Sequence, residues 1–282
     1  MLTKIAFVVS AAALALTFVV PAGATKGHKK HRHARVASNA TQVVVPRGHP
    51  VEIAYTPDLT GLTSSFATSL GNAVQMAVAA HPVIRGFRVQ LNTVDMPCGD
   101  STADGNAAAS VVANLQNTAV LGPFCSTADA VGLPTYQSAG VVTLSGSTTD
   151  PSLPGFGPDV FNSVIVSDAC CPVFVDLAGP WYATVRTFPS DLAWRQAYTS
   201  EFGSSPTAFA DLYYDAAGLL IRDLQATSRI DGSGNLVINR AALAEAVRST
   251  TKYQGVTCTI ALDPTTGFRV NDPAALAGCA ED

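Results

Sequence analysis

Two short stretches carry the residue types needed to hold a small anion: Cys125-Ser126-Thr127 and Ser145-Gly146-Ser147-Thr148-Thr149. Each combines hydroxyls with small side chains and stands ahead of a helical pattern. There, unbonded backbone N–H groups and the helix dipole favour a carboxylate. Ser and Thr also serve as ordinary N-caps and turn residues in such places. Catalytic machinery is harder to find. There is no GxSxG elbow, no Walker GK[ST] and no HExxH. His49 and His81 each precede a proline, a poor station for a general base. No enzyme activity and no cofactor are expected. Six cysteines contain no CxxC pair and no spaced Cys/His set, so no metal site is expected either. Six thiols allow 15 disulfide connectivities, and the adjacent Cys170 and Cys171 are poorly placed to bond each other.

The elements that must position these loops alternate. Val51, Ile53 and Tyr55 alternate as a strand, and Leu70, Val74, Ala77 and Val78 share a helical face closed by Pro82. A second strand spans 87–95. A helix capped by Asp104 runs to Leu115, with Ala108, Val111, Val112 and Leu115 inward. Strands follow at 119–125, 141–146 and 160–166, with a helix between the first two. Further on, Ser190 caps a helix to Phe202. A longer helix runs from Pro206 to about Ala226, and Asn239 caps another through Val247. Residues 255–270 read as a hairpin turning at Pro264 to Gly267. Strands separated by helices imply crossovers, hence an α/β, doubly wound, mainly parallel sheet with helices on both faces. In such sheets ligands collect outside the strand C-termini, where both hydroxyl loops fall.

Charged residues make up 13% of the 282, about half the usual share. Residues 1–24 have the form of a secretory signal: Lys4, an apolar stretch from Ile5 to Val20, and Ala22-Gly23-Ala24 for cleavage. Later apolar runs fall short of the ~20 residues of a membrane helix. With no Cys before Cys98, an exported, periplasmic or extracellular, soluble protein without a lipid anchor is expected. Residues 25–47 read as a basic, His-rich, disordered leader, with five cationic residues and no acid over 25–35. Setting these five and Lys4 aside leaves 11 of the 17 basic residues against all 21 acidic ones, a balance of −10. With no basic stripe beyond the leader, nucleic acid is not an expected partner.

The run Asp95-Met-Pro-Cys98, then Gly122-Pro-Phe-Cys125-Ser126, then Leu144-Ser145 through Asp150-Pro151 resembles the first lobe of the periplasmic leucine/isoleucine/valine-binding proteins. These are the substrate-binding proteins of branched-chain amino acid ABC transporters. Phe202-Gly203 to Pro206, Tyr214-Asp215-Ala216-Ala217 and Gly255-Val256-Thr257 extend the similarity. The resemblance implies a type I periplasmic-binding fold with most of the second lobe missing. The first lobe would be 48–162 and 190–282 of a domain spanning 48–282, with 163–189 as the remnant of the second.

By resemblance, Ser126, the backbone of Ser147 and the hydroxyl of Thr149 hold an amino acid's polar end. Phe66 lies near a position where the family often has an aromatic over the ligand. The family's disulfide falls on Cys98 and Cys125, and a second, Cys258 with Cys279, would pin the C-terminal tail. Asp168 is the nearby acid that could meet a ligand ammonium, although a surface turn is the plainer role for it. The implied function is an extracytoplasmic solute-binding protein for a small amino acid or carboxylate, weakened by its half-cleft. Its partners would be an ABC permease and, to cover the cleft, a second copy as a homodimer. The alternative is an exported interaction or sensory module that uses the first lobe as a scaffold, without transport.

Overall fold

A computed structural model describes residues 41–169 and 192–270. The signal segment, the leader up to residue 40, Cys170, Cys171, Ser190 and Cys279 lie outside the described residues.

Strand β1 is Gln42–Val45, β2 Val51–Tyr55, β3 Val83–Ile84, β4 Phe87–Thr93, β5 Asn117–Leu121 and β6 Thr143–Leu144. The central sheet has the order β3-β4-β2-β5-β6. All neighbours are parallel except the edge hairpin β3–β4. Side chains alternate across a strand, and the two hydrophobic clusters record that alternation. Ile53, Tyr55, Ala119 and Leu121 face helices α1 (Ala67–Ala80) and α5 (Ala210–Thr227). Ala54 and Val120 face α2 (Ser101–Ala113) and α3 (Ser126–Ala139). A sheet covered on both faces needs strands that are apolar on both, and β5 is buried along its whole length. The doubly wound architecture expected from the alternation is the one observed.

The C-terminal part adds α4 (Leu192–Phe202), β7 (Arg229–Ile230), β8 (Leu236–Asn239), α6 (Arg240–Arg248), β9 (Tyr253–Gly255) and β10 (Cys258–Ile260). Asn239 caps α6 as expected, its side chain accepting from the Ala242 N–H at 3.0 Å. Val256 and Thr257, joining β9 to β10, hang from the Asp215 carboxylate in α5. A Cβ at Gly255 would collide with that carboxylate, so close approach here demands glycine.

Five expectations change. The leader does not extend to residue 47. Val43, Val44 and Val45 are buried in β1, which pairs antiparallel with β8, because three consecutive β-branched residues favour a strand over a solvated tail. Asp104 is not the cap of α2. Asp100 is, accepting from Thr102 and Ala103, so Asp104 is buried one turn in and Leu115 lies exposed beyond the helix. Residues 160–166 form no regular strand, only bridges from Ser163 to Ser145 and Phe268. Backbone bonds still join the segment to Thr143, Ser145, Gly267 and Arg269, and side chains add to them: Arg248 takes the carbonyls of Pro158 and Phe161, and Asn162 donates to those of Thr143 and Val160. The long helix begins at Ala210 rather than Pro206, because Phe209 adopts φ +69°. The 255–270 hairpin is two turns: β9–β10 turns at Val256–Thr257, and a second turn before Gly267 closes on the Leu262–Arg269 bridge.

Candidate functional site

Parallel strands deliver both hydroxyl loops to one rim. β5 ends at Leu121, and the chain enters α3 at Ser126; β6 ends at Leu144 and runs into Ser145–Asp150. The Ser126 hydroxyl ties the two together, accepting from the N–H groups of Thr149 (3.1 Å) and Asp150 (3.3 Å). Ser145 stiffens its own loop, accepting from the N–H groups of Ser147 and Thr148 at 3.2 Å each and donating to the Pro123 carbonyl. The start of α3 carries no side-chain cap. Among the described residues the N–H groups of Ser126, Thr127 and Ala128 meet no acceptor, which leaves an anion-attracting helix end at the rim.

The four expected site residues do not play equal parts. Ser126 is half-buried at the rim, whereas Ser147 and Thr149 are 3% and 2% exposed. The Ser147 hydroxyl donates to the Phe124 carbonyl and meets the Tyr213 hydroxyl at 3.2 Å. The Thr149 hydroxyl donates to Asp168 at 2.8 Å, and the Asp168 N–H returns a bond to the Thr149 carbonyl. Asp168 stands, half-buried, in a turn, as its plainer role had it, and that turn is tied to the rim through Thr149. Phe66 is not a lone aromatic: it stacks on Phe124 at 5.5 Å, and Phe124 continues to Phe209 and Tyr213. Sequence reasoning missed Tyr213 as the support under Ser147. It falls within the helix expected from Pro206 to about Ala226, and nothing local marks its hydroxyl. Gly146 fits because a Cβ there would strike the Tyr213 ring at 2.7 Å.

The Cys98–Cys125 disulfide is present, clamping the loop after β4 to the start of α3. Asp58 and Asp95 organise the same rim. Asp58 accepts from Gly61 and Thr63, and Asp95 accepts from Leu59 and Thr60. Cys258 is disulfide-bonded to a partner outside the described residues. No helix of the described residues is long and apolar enough to cross a membrane, and these residues contain no His/Cys/Asp/Glu group able to hold a metal ion.

Buried carboxyls under the rim give the protein a pH signature. Asp129, in the first turn of α3, is fully buried and both its oxygens lack hydrogen bonds. Burial pushes its carboxyl well up; the Thr148 hydroxyl beside it offsets part of this, though the pair falls short of hydrogen-bond geometry. Burial raises Asp104 to about 6, helped by the charges of Asp100, Asp58 and Asp95. Asp215 is also raised to about 6 by burial, against its bonds from Thr257 and Val256. Acids raised in the folded state hold protons that the unfolded chain releases near pH 4. Their contribution to stability is complete below that value and is lost as pH rises through 6. For Asp215 alone the difference is about 3 kcal/mol. The melting temperature should therefore be higher at pH 5 than at pH 7.5, with a flatter profile in Asp129→Asn. A melting temperature that climbs with pH over this range would contradict the assignment.

The sequence matches no protein-family model and no curated protein. Solved structures do match. The leucine-binding protein LivK of Thermotoga maritima is 16% identical, with a TM-score of 0.63 over 78% of this chain and 93% of that one. The branched-chain amino acid transporter substrate-binding protein LivJ of Streptococcus pneumoniae, solved with isoleucine, is 14% identical, with a TM-score of 0.63 over 78% and 94%. An ABC transporter solute-binding protein of Rhodopseudomonas palustris, solved with 3,4-dihydroxybenzoic acid, is 14% identical, with a TM-score of 0.64 over 78% and 91%. The likeness establishes the fold as that of type I periplasmic binding proteins, with the described residues making up roughly one lobe.

Proposed function

We propose that the chain is an exported solute-binding protein that captures a small α-amino acid or carboxylate for an ABC permease. One observation carries the reading: at a single rim, an uncapped helix end offers donors and the Thr149–Asp168 pair offers acceptors. A zwitterion needs both. A carboxylate suits the N–H groups of Ser126, Thr127 and Ala128 together with the Ser126 hydroxyl. An ammonium suits the Asp168 carboxylate and the Thr149 oxygen. Phe66, the outer ring of the aromatic wall, would border the side chain. Solved neighbours with isoleucine and with a hydroxylated benzoate are consistent with this ligand class.

With residues 163–189 too few for a second lobe of ordinary size, the ligand stays partly in water and its hydrogen bonds compete with solvent. Dissociation constants nearer millimolar than micromolar follow. A thermal-shift panel of amino acids and benzoates should show a concentration-dependent rise for at least one α-amino acid or carboxylate, by mass action on the native state. Sugars and cations should give none. A flat response to every carboxylate up to tens of millimolar would count against the reading.

The exposed rim residues Leu59 and Leu62, the latter 85% exposed, favour a second reading in which a protein partner or second copy covers the half-cleft. Protein co-purification without any ligand response would point there.

A further inference from the structure

The end of the sheet opposite the rim holds a cleft of about 460 Å³ lined by Arg47, His49, Arg85, Phe87, Arg88 and Ile230, with glycines between them. The volume is that of a small-ligand site. Three hairpin or loop ends build it: the β1–β2 connection, the β3–β4 turn and the β7–β8 hairpin. Its charge runs against that of the chain from Val36 onward, which carries 21 acidic residues and only 11 basic ones, the three arginines of the cleft included.

The side chains of four other described arginines have hydrogen-bond or ion-pair partners, whereas those of the exposed Arg195 and Arg229 have none among the described residues. Arg240, Arg248 and Arg269 are buried on backbone carbonyls, and Arg222 pairs with Asp223. Among the described residues the side chains of Arg47, Arg85 and Arg88 make no hydrogen bond or ion pair. No acid lines the cleft. The nearest carboxylate in sequence to Ile230, Asp231, is folded into its own turn, accepting from the Ser233 and Asn235 N–H groups and from the Asn235 side chain. The β3–β4 turn places Arg85 at φ +48° and Gly86 at φ +88°. A turn with both central residues left-handed favours Asn-Gly, yet here arginine takes the first place. The Gln225 side chain holds that position by accepting from the Arg85 N–H at 2.8 Å.

We propose that this cleft binds a multivalent phosphate anion, held by the guanidinium groups of Arg47, Arg85 and Arg88. Guanidinium suits phosphate through paired, charge-assisted hydrogen bonds, and three unpaired cations in one concavity favour a multiply charged ligand over a monoanion. The site is separate from the rim and independent of what the rim binds.

The test is isothermal titration of the full chain with sodium tripolyphosphate, with orthophosphate and sulfate alongside. The variants are Arg85→Asn and Arg85→Asn with Arg88→Gln. Asn tolerates positive φ, so Arg85→Asn removes the charge and keeps the turn, and unchanged melting confirms folding. The wild type should prefer tripolyphosphate to orthophosphate. The double variant should bind at least tenfold more weakly, and wild-type affinity should fall steeply with added salt. A parallel titration with poly(glycerol phosphate) separates a free polyphosphate from a phosphodiester polymer, the source being the arm that keeps the variant's loss. Absence of binding to both, or equal binding by wild type and double variant, overturns the proposal; the second result would assign the anion to the five leader cations.

Discussion

Asp215→Ala should lower the free energy of unfolding at pH 5 by about 1–3 kcal/mol, the cost of leaving a buried donor unsatisfied. Asp215 accepts three hydrogen bonds, from the N–H groups of Val256 (2.7 Å) and Thr257 (2.8 Å) and from the Thr257 hydroxyl. Thr257 in turn meets Arg269, accepting at 3.1 Å on its hydroxyl and at 2.6 Å on its carbonyl. Burial pulls the Arg269 guanidinium down to about 10, and the Asp215 charge opposes that fall. Alanine would strand the Thr257 N–H. Each unsatisfied buried group costs about 1–3 kcal/mol. Urea unfolding of wild type, Asp215→Asn and Asp215→Ala should rank them in that order. A loss below 1 kcal/mol for alanine would mean that this network does not hold the C-terminal segment to α5.

Replacing Cys98 and Cys125 together by alanine should cost about 3.5 kcal/mol, the chain-entropy value for a loop of this length. The separation is 27 residues. The bond joins two loops of the rim, so its loss should also loosen the site. The Thr63 hydroxyl reaches the Cys98 sulfur at 3.2 Å, and the Cys98 carbonyl accepts from Leu62. Guanidinium unfolding of the double variant measures the change. An unaltered midpoint, or two alkylatable thiols in the unreduced protein, would refute it.

What the sequence disclosed followed from how local each cause is. The parallel core was legible because β2, β4 and β5 carry their own period-two pattern and α1 its own apolar face. The antiparallel β1–β8 pair was not, since its two partners are four residues each and lie nearly 200 residues apart. Residues 160–166 look like a strand by composition and do bond through the backbone to Ser145 and Gly267, but Arg248, 86 residues from Asn162, also holds the segment, which spacing does not disclose. The site shows the same division. Hydroxyls at strand ends identified both loops, and the resemblance linked the Tyr214–Ala217 and Gly255–Thr257 motifs that the structure joins through Asp215. Burial of Ser147 and Thr149, and the closure of Asp168 onto Thr149, depend on three-dimensional packing that spacing does not encode.

The central claim is that the rim holds a small amino acid or carboxylate, and titration calorimetry of the monomer tests it most directly. Wild-type protein titrated with leucine, isoleucine and 3,4-dihydroxybenzoate should show saturable one-to-one binding to at least one of them, nearer millimolar than micromolar. Thr149→Val, shown to be folded by its circular dichroism, should weaken that binding severalfold through loss of the hydroxyl that joins the loop to Asp168. Micromolar binding by a proven monomer would contradict the open half-cleft. Binding unchanged in Thr149→Val would contradict the placement of the ligand at the rim.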